Sequence, residues 1–208
     1  MKTTMLAVAG LTIMAGCAAT TQLTENERQT RAEAMLKAGF SKGNKAMAER
    51  VVQQDETQAL CSKYPESVPE AIASRIQESQ QATIRYPASG NLMGDWRQGE
   101  KIAQDGWGMR FTDMGSPNRP MGGNCYACHQ LAPDELSYGT LGPSLYQFGK
   151  ARGYTDEVRR YVYGKVYNAK ATNACSNMPR FGHNGILTEQ QIKDVVALLM
   201  DPASPVNR

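Results

Sequence analysis

The chain has 208 residues, a formal net charge of +3 at pH 7 and hydrophobic residues at 41% of its positions. This length accommodates one domain with an extension or two small domains, and the composition is that of an ordinary globular protein. A charge so close to balance provides no basic stripe, which argues against nucleic acid as a partner. We expect specific chemistry to rest on scarce residue types, because the chain has only five cysteines and two histidines.

The first part of the chain, residues 1–19, is predicted to be a secretory signal peptide. One lysine precedes a short apolar run, and small residues follow it. The run is shorter than the roughly 20 apolar residues that span a bilayer. Met-Ala-Gly-Cys17 is an imperfect lipobox, so Cys17 is either lipidated or removed by cleavage one or two residues later. Both routes predict a periplasmic location, and the membrane is a partner only if Cys17 carries lipid.

The mature chain is predicted to divide into a helical extension, residues 20–90, and a functional domain, residues 91–208. The extension is polar and rich in helix-forming residues, and Pro65 and Pro69 break it into at least two helices. A turn rich in proline, serine and glycine ends at Gly90. Because no segment alternates like a strand, the predicted fold class is all-α with long loops.

Three helices are predicted in the second part from their capping residues. Asp95 caps the first helix, on which Gly99 would allow a second helix to cross at close range. Thr155 caps the second helix, whose apolar face is expected to include Tyr161. The third helix begins with a capping box, Thr188-Glu-Gln-Gln, and ends at an Asp-Pro pair.

The sequence Cys125-Tyr-Ala-Cys128-His129 has the spacing of a haem c attachment motif. Two thiols three residues apart can reach the two vinyl groups on one porphyrin edge, and the histidine then lies under the iron. A zinc site needs four ligands, and the remaining cysteines and histidine do not form a second ligand pair. A redox dithiol of the thioredoxin type would lie near a βαβ pattern, which the sequence lacks. One covalently attached haem c is therefore the predicted cofactor.

Two downstream segments complete the predicted iron site. Pro143 lies in a Gly-Pro-Ser-Leu turn that resembles the turn of small cytochromes c in which a carbonyl accepts the proximal His Nδ1–H. Met178, in Asn-Met-Pro-Arg-Phe, precedes the last helix, as does the ligand loop of class I cytochromes c. A thioether ligand raises the potential and favours electron transfer. His183 and Cys175 remain open as alternative ligands.

Cys61 and Cys175 have no other predicted role. In an oxidising compartment they are expected to form a disulfide, which would hold the helical extension against the loop that carries Met178.

The motifs GGNCYACHQL, YGTLGPSLYQFGKARG and NMPRFGHNGILT together resemble the SoxX family, the small cytochrome subunits of the SoxAX complex of bacterial thiosulfate oxidation. The resemblance runs from about residue 94 to residue 207. It implies a class I cytochrome c fold in which Cys125 and Cys128 bind the haem covalently, His129 is the proximal iron ligand and Met178 the distal one.

The resemblance also implies a place in an enzyme, L-cysteine S-thiosulfotransferase, as its haem electron-relay subunit. The implied partners are a SoxA subunit in a heterodimer, the SoxYZ carrier protein transiently, and a downstream soluble cytochrome c. The residues of this chain contain no general base, nucleophile or phosphate loop, so the sulfur chemistry is expected in the SoxA partner. A free-standing periplasmic monohaem electron carrier and a haem-based gas binder remain alternatives.

Overall fold

The computed structural model describes residues 23–39, 53–110, 113 and 119–208. Within these ranges the chain is helical and contains no strand, which confirms the all-α prediction. The predicted signal peptide and Cys17 lie outside the described residues. The described α-helices are α1 (Glu25–Gly39), α2 (Glu56–Lys63), α3 (Glu70–Gln81), α4 (Trp96–Gln104), α5 (Phe148–Arg152), α6 (Asp156–Tyr167) and α7 (Glu189–Met200), and short 3₁₀ turns occur at Cys125–Ala127, Ala169–Ala171 and Pro205–Asn207.

Helices α4 and α7 cross at close range and form the centre of the second part. A Cβ atom on Gly99 would lie only 2.1 Å from the backbone oxygen of Asp194, so only glycine fits at this crossing. The Asp194 carboxylate accepts a hydrogen bond from the backbone N–H of Asp95 at 2.9 Å, directly before α4 begins. Asp95 in turn caps α4 by accepting from the Arg97 N–H. The predicted cap and the predicted close crossing are both confirmed.

The main apolar core lies between α7, α6 and the turns that follow α4. Thr188 and Gln191 form the predicted capping box, and most of the following residues of α7 are buried. Helix α6 begins at its predicted cap, Thr155. Its buried face differs from the prediction, because Tyr161 is half exposed whereas Tyr163 is fully buried. Tyr163 donates a hydrogen bond to the Arg85 backbone oxygen at 3.2 Å, which satisfies its hydroxyl at the edge of the core.

Polar contacts attach α2 and α3 to the rest of the molecule. Buried Gln80 donates to Thr57 Oγ1 and accepts hydrogen bonds from Asn168 Nδ2 at 3.0 Å and Arg180 Nη1 at 3.1 Å. Arg180, itself buried, also forms an ion pair with Asp55, the residue that caps α2. By contrast, no residue of α1 is buried.

The Asp55 carboxylate is held in its charged form despite partial burial. Burial by itself would raise its pKa, but a hydrogen bond from the Gln58 backbone N–H and the Arg180 guanidinium together lower the pKa below its usual range. The charged pair therefore contributes to docking of the extension.

The predicted disulfide is present and joins the same two regions. Cys61 on α2 is bonded to Cys175, with their Cα atoms 5.5 Å apart. The bond closes a sequence separation of 114 residues, so it ties the extension directly to the loop before α7.

Candidate haem site

The Cys-x-x-Cys-His segment forms a single tight turn. Residues Cys125–Ala127 are a 3₁₀ helix, and the backbone N–H of His129 donates to the Cys125 carbonyl at 2.9 Å. The buried ring of Tyr126 anchors the turn, since its hydroxyl accepts from the Ala132 N–H. Cys125 and Cys128 are both free thiols, so the turn presents two sulfurs and one imidazole that no other protein bond has consumed.

The His129 ring is oriented by the loop that contains Pro143. His129 Nδ1 lies 2.7 Å from the Pro143 backbone oxygen, as predicted from the Gly-Pro turn. A carbonyl oxygen can only accept, so Nδ1 carries the proton and Nε2 keeps a lone pair for a metal. The hydrogen bond also makes the ring a more basic ligand.

Gly142 is part of the same support, and sequence reasoning missed its role. A Cβ at this position would lie 2.1 Å from His129 Cε1, so the bare backbone forms a flat wall against the imidazole ring. The Gly142 N–H donates to the Cys128 carbonyl at 2.8 Å, which fixes the wall to the cysteine turn. The only signal in the sequence was that this glycine directly precedes Pro143.

Met178 lies in an irregular loop that is restrained on both sides. Three residues before it, Cys175 is held by the disulfide, and two residues after it, Arg180 is held by Asp55 and Gln80. The Met178 side chain is partly buried and packs against the same apolar core that Cys125 contacts. Met178 and the cysteine turn therefore border one hydrophobic region, although they are far apart in sequence.

The sequence left Cys175 and His183 open as alternative iron ligands, and it also raised the possibility of a zinc site. Cys175 is consumed by the disulfide and cannot serve as a thiolate ligand. His183 is exposed at the surface, within electrostatic range of the Asp55–Arg180 pair. The described residues contain no cluster of three or more His, Cys, Asp or Glu that could hold a metal, so a zinc site has no ligand set there.

A redox dithiol is also disfavoured. Burial raises the pKa of the Cys125 thiol to about 12, and the reactive species in disulfide exchange is the thiolate. A covalent thioether, in contrast, suits a partly buried sulfur that carries no charge.

The match to known proteins gives the class of this site. Residues 118–201 match the family model for cytochrome c. With its helical fold and its Cys-x-x-Cys-His turn, this part of the chain is a c-type cytochrome domain, an electron carrier with covalently attached haem c. The residues fit that group, because one turn holds two free thiols and an imidazole with an available Nε2, and the glycine wall from the Pro143 loop packs against that imidazole.

A second match covers more of the chain and extends the similarity beyond the haem domain. Over 181 residues, which are 86% of this chain and 84% of the relative, the sequence is 36% identical to an uncharacterized lipoprotein of Aquifex aeolicus (strain VF5). The chain belongs to the same protein family as that lipoprotein. In the part of the chain that the structure describes, no helix is both long and apolar enough to cross a membrane.

Proposed function

We propose that Cys125 and Cys128 bind the haem through thioether bonds, that His129 is the proximal iron ligand and that Met178 is the distal one. The observation that carries this proposal is the His129 Nδ1 to Pro143 oxygen hydrogen bond, which leaves Nε2 available to iron. The restraint of the Met178 loop on both sides supports the second ligand. Haem c supplies one-electron transfer when bound, and the protein fixes its ligands and potential.

The distal ligand is tested by spectroscopy of the oxidised holoprotein. Methionine ligation gives a weak charge-transfer absorption near the red end of the spectrum, and we expect Met178→Ala to lose it. Met121→Ala is a matched control, because Met121 is also partly buried against the core. Retention of the band in Met178→Ala, or its loss in His183→Ala alone, would show that Met178 is not the ligand. Rapid carbon monoxide binding by the reduced wild type would favour a gas binder instead.

At the level of the whole protein, we propose the electron-transfer subunit of a SoxAX-type thiosulfotransferase. Joining thiosulfate to a carrier cysteine forms one sulfur–sulfur bond, releases the thiol proton and leaves two electrons. One haem accepts one electron at a time, so the chain acts as a relay between the SoxA partner and a downstream soluble cytochrome c. The resemblance of the three haem-domain motifs to SoxX supports this role, as does the absence of acid–base machinery in the sequence.

An exposed apolar loop beside the cysteine turn is the proposed docking surface for the SoxA-type partner. Leu136 and Leu141 are 92% and 73% exposed, and Tyr138 lies between them in sequence. Two hydrogen bonds hold the loop against the cysteine turn. The Gly139 N–H donates to the Tyr126 carbonyl, and the Gly142 N–H donates to the Cys128 carbonyl. Large exposed apolar side chains grouped in one loop are typical of an interaction site.

Location and processing form part of the same proposal. The mature protein is periplasmic. A signal peptide within residues 1–19 directs its export, and the extension, residues 20–90, and the cytochrome domain, residues 91–208, follow it. The name of the Aquifex relative, a lipoprotein, supports lipidation of Cys17. Mass analysis of the mature N-terminus distinguishes a diacylated Cys17 from simple cleavage after it.

Co-purification tests the assignment to a complex. Affinity-tagged chain expressed in its native host is expected to carry a larger haem-containing cytochrome with it, and the Leu136→Ser/Leu141→Ser variant is expected to lose that partner. Tyr161→Ser is the control, because Tyr161 is also a large exposed apolar side chain but lies on α6, outside the loop. A chain that purifies alone, with its haem intact, would favour the free-standing electron carrier.

A further inference from the structure

A polar cavity lies between α2 and the loop that carries Met178. Its volume is about 330 Å³, which is roughly ten times the volume of one liquid water and is enough for a small polyatomic anion with its hydration. Gln54, Gln58 and Ser62 line it from the extension, and Asn177 lines it from the loop. The described lining does not include the Cys-x-x-Cys-His turn, so this cavity is separate from the haem attachment site.

A buried lysine contributes the principal charge of this cavity. Lys170, in the 3₁₀ turn Ala169–Ala171, is only 9% exposed. Among the described residues its ammonium donates one hydrogen bond, to Cys61 Sγ at 3.9 Å, and forms no ion pair. Sulfur is a weak acceptor, whereas an ammonium has three N–H donors. A buried ammonium with so little compensation is costly unless an anion or water supplies the missing acceptors.

The charges around the cavity favour an anion. Its described lining contains two cations, Lys170 and Arg180, and no carboxylate. Asp55 forms an ion pair with Arg180 and also acts electrostatically on Lys170, so one carboxylate faces two cations and the cavity keeps a net positive charge. The remaining lining side chains are mostly amides and hydroxyls, which can donate to oxyanion oxygens.

We propose that this cavity binds a small oxyanion of the sulfate, thiosulfate or phosphate type, with the Lys170 ammonium as its main contact. Binding of this kind does not depend on the identity of the electron-transfer partner, because all the contacts come from this chain. Met178 and Cys175 line the same cavity, so a bound anion lies against the loop that holds the distal ligand. If Met178 ligates the iron, the added negative charge stabilises the oxidised haem and lowers its midpoint potential.

Calorimetric titration of the purified holoprotein tests the site. Sodium sulfate, thiosulfate and phosphate are titrated separately into protein in chloride buffer at constant ionic strength. We expect saturable binding of one anion per chain for at least one probe, and the tightest probe shows whether a sulfur or a phosphorus oxyanion is preferred. Lys170→Gln is expected to weaken that binding about tenfold or more, the usual contribution of a charged hydrogen bond.

Two further variants keep the result decisive. Lys165→Gln is the matched control, because Lys165 is also a partly buried lysine but its ammonium donates to Thr172 Oγ1 and does not line the cavity. Asn177→Asp places a negative charge at an exposed position of the lining, so it should weaken binding even if Lys170→Gln does not fold. The proposal is overturned if none of the three anions gives saturable heat, or if Lys165→Gln weakens binding as much as Lys170→Gln.

Discussion

Removal of the Cys61–Cys175 disulfide is the perturbation whose cost can best be calculated from the structure. The two cysteines are 114 residues apart, so the bond greatly restricts the unfolded chain. In the chain-entropy model a loop of this length corresponds to about 5 kcal/mol of stability at 25 °C. That is a large share of the total of roughly 5–15 kcal/mol expected for a folded protein. We therefore expect Cys61→Ala/Cys175→Ala to be folded but strongly destabilised.

Guanidinium denaturation of the oxidised wild-type and variant holoproteins, followed by circular dichroism, measures the free energy of unfolding that the variant loses. The charge-transfer absorption that Met178 ligation is proposed to produce is recorded in the same titration. Because the disulfide restrains the loop three residues before Met178, we expect the band to weaken at lower denaturant in the variant than the helical signal does. Ser62→Ala/Asn177→Ala is the matched control, since these residues lie one and two positions after the two cysteines and their replacement leaves the bond intact. A loss below about 1 kcal/mol would refute the chain-entropy reasoning for this bond.

Three other changes test the fold and the site. Gly99→Ala should destabilise the protein by about 1–3 kcal/mol in thermal unfolding, because the new Cβ would meet the Asp194 backbone oxygen. An unchanged melting temperature would mean that helices α4 and α7 cross less closely than described. Gly142→Ala should displace the His129 ring and shift the haem midpoint potential, and a potential equal to that of the wild type would argue against the glycine wall. Because the pKa of Asp55 is lowered in the folded protein, its charged carboxylate stabilises the fold above about pH 4, and this stabilisation is lost as the pH falls further. The free energy of unfolding, measured by denaturant titration, should therefore drop more between pH 5 and pH 3 in the wild type than in Asp55→Asn. Parallel pH profiles for those two proteins would exclude that contribution.

Features set by local chemistry could be predicted from the sequence. The caps at Asp95, Thr155 and Thr188 each depend on a side chain reaching a backbone N–H two or three residues later, so a short window of sequence contains the whole interaction. The cysteine turn is also local. The disulfide was predictable for a different reason, because only Cys61 and Cys175 remained once the other cysteines had been assigned.

Features that join distant segments could not be predicted in the same way. Gln80 bonds to residues 88 and 100 positions away, and nothing in a polar, helix-forming segment indicates which glutamine will be buried. Lys170 would ordinarily be placed at the surface, since lysine is rarely buried. Tyr161 and Tyr163 flank Val162 in a short apolar run, and the helical period alone did not decide which ring faces the core. Tertiary contacts decided it, because the Tyr163 hydroxyl reaches the Arg85 carbonyl.

Thiosulfate-dependent reduction of the haem tests the proposed function most directly. The oxidised holoprotein is mixed with the proposed SoxA-type partner, the carrier protein and thiosulfate, and the haem absorption of this chain is followed with time. The account predicts reduction only in the complete mixture, with one electron entering each haem and a slower rate for the Leu136→Ser/Leu141→Ser variant. It is contradicted if the partner couples thiosulfate to the carrier with another electron acceptor while this haem stays oxidised.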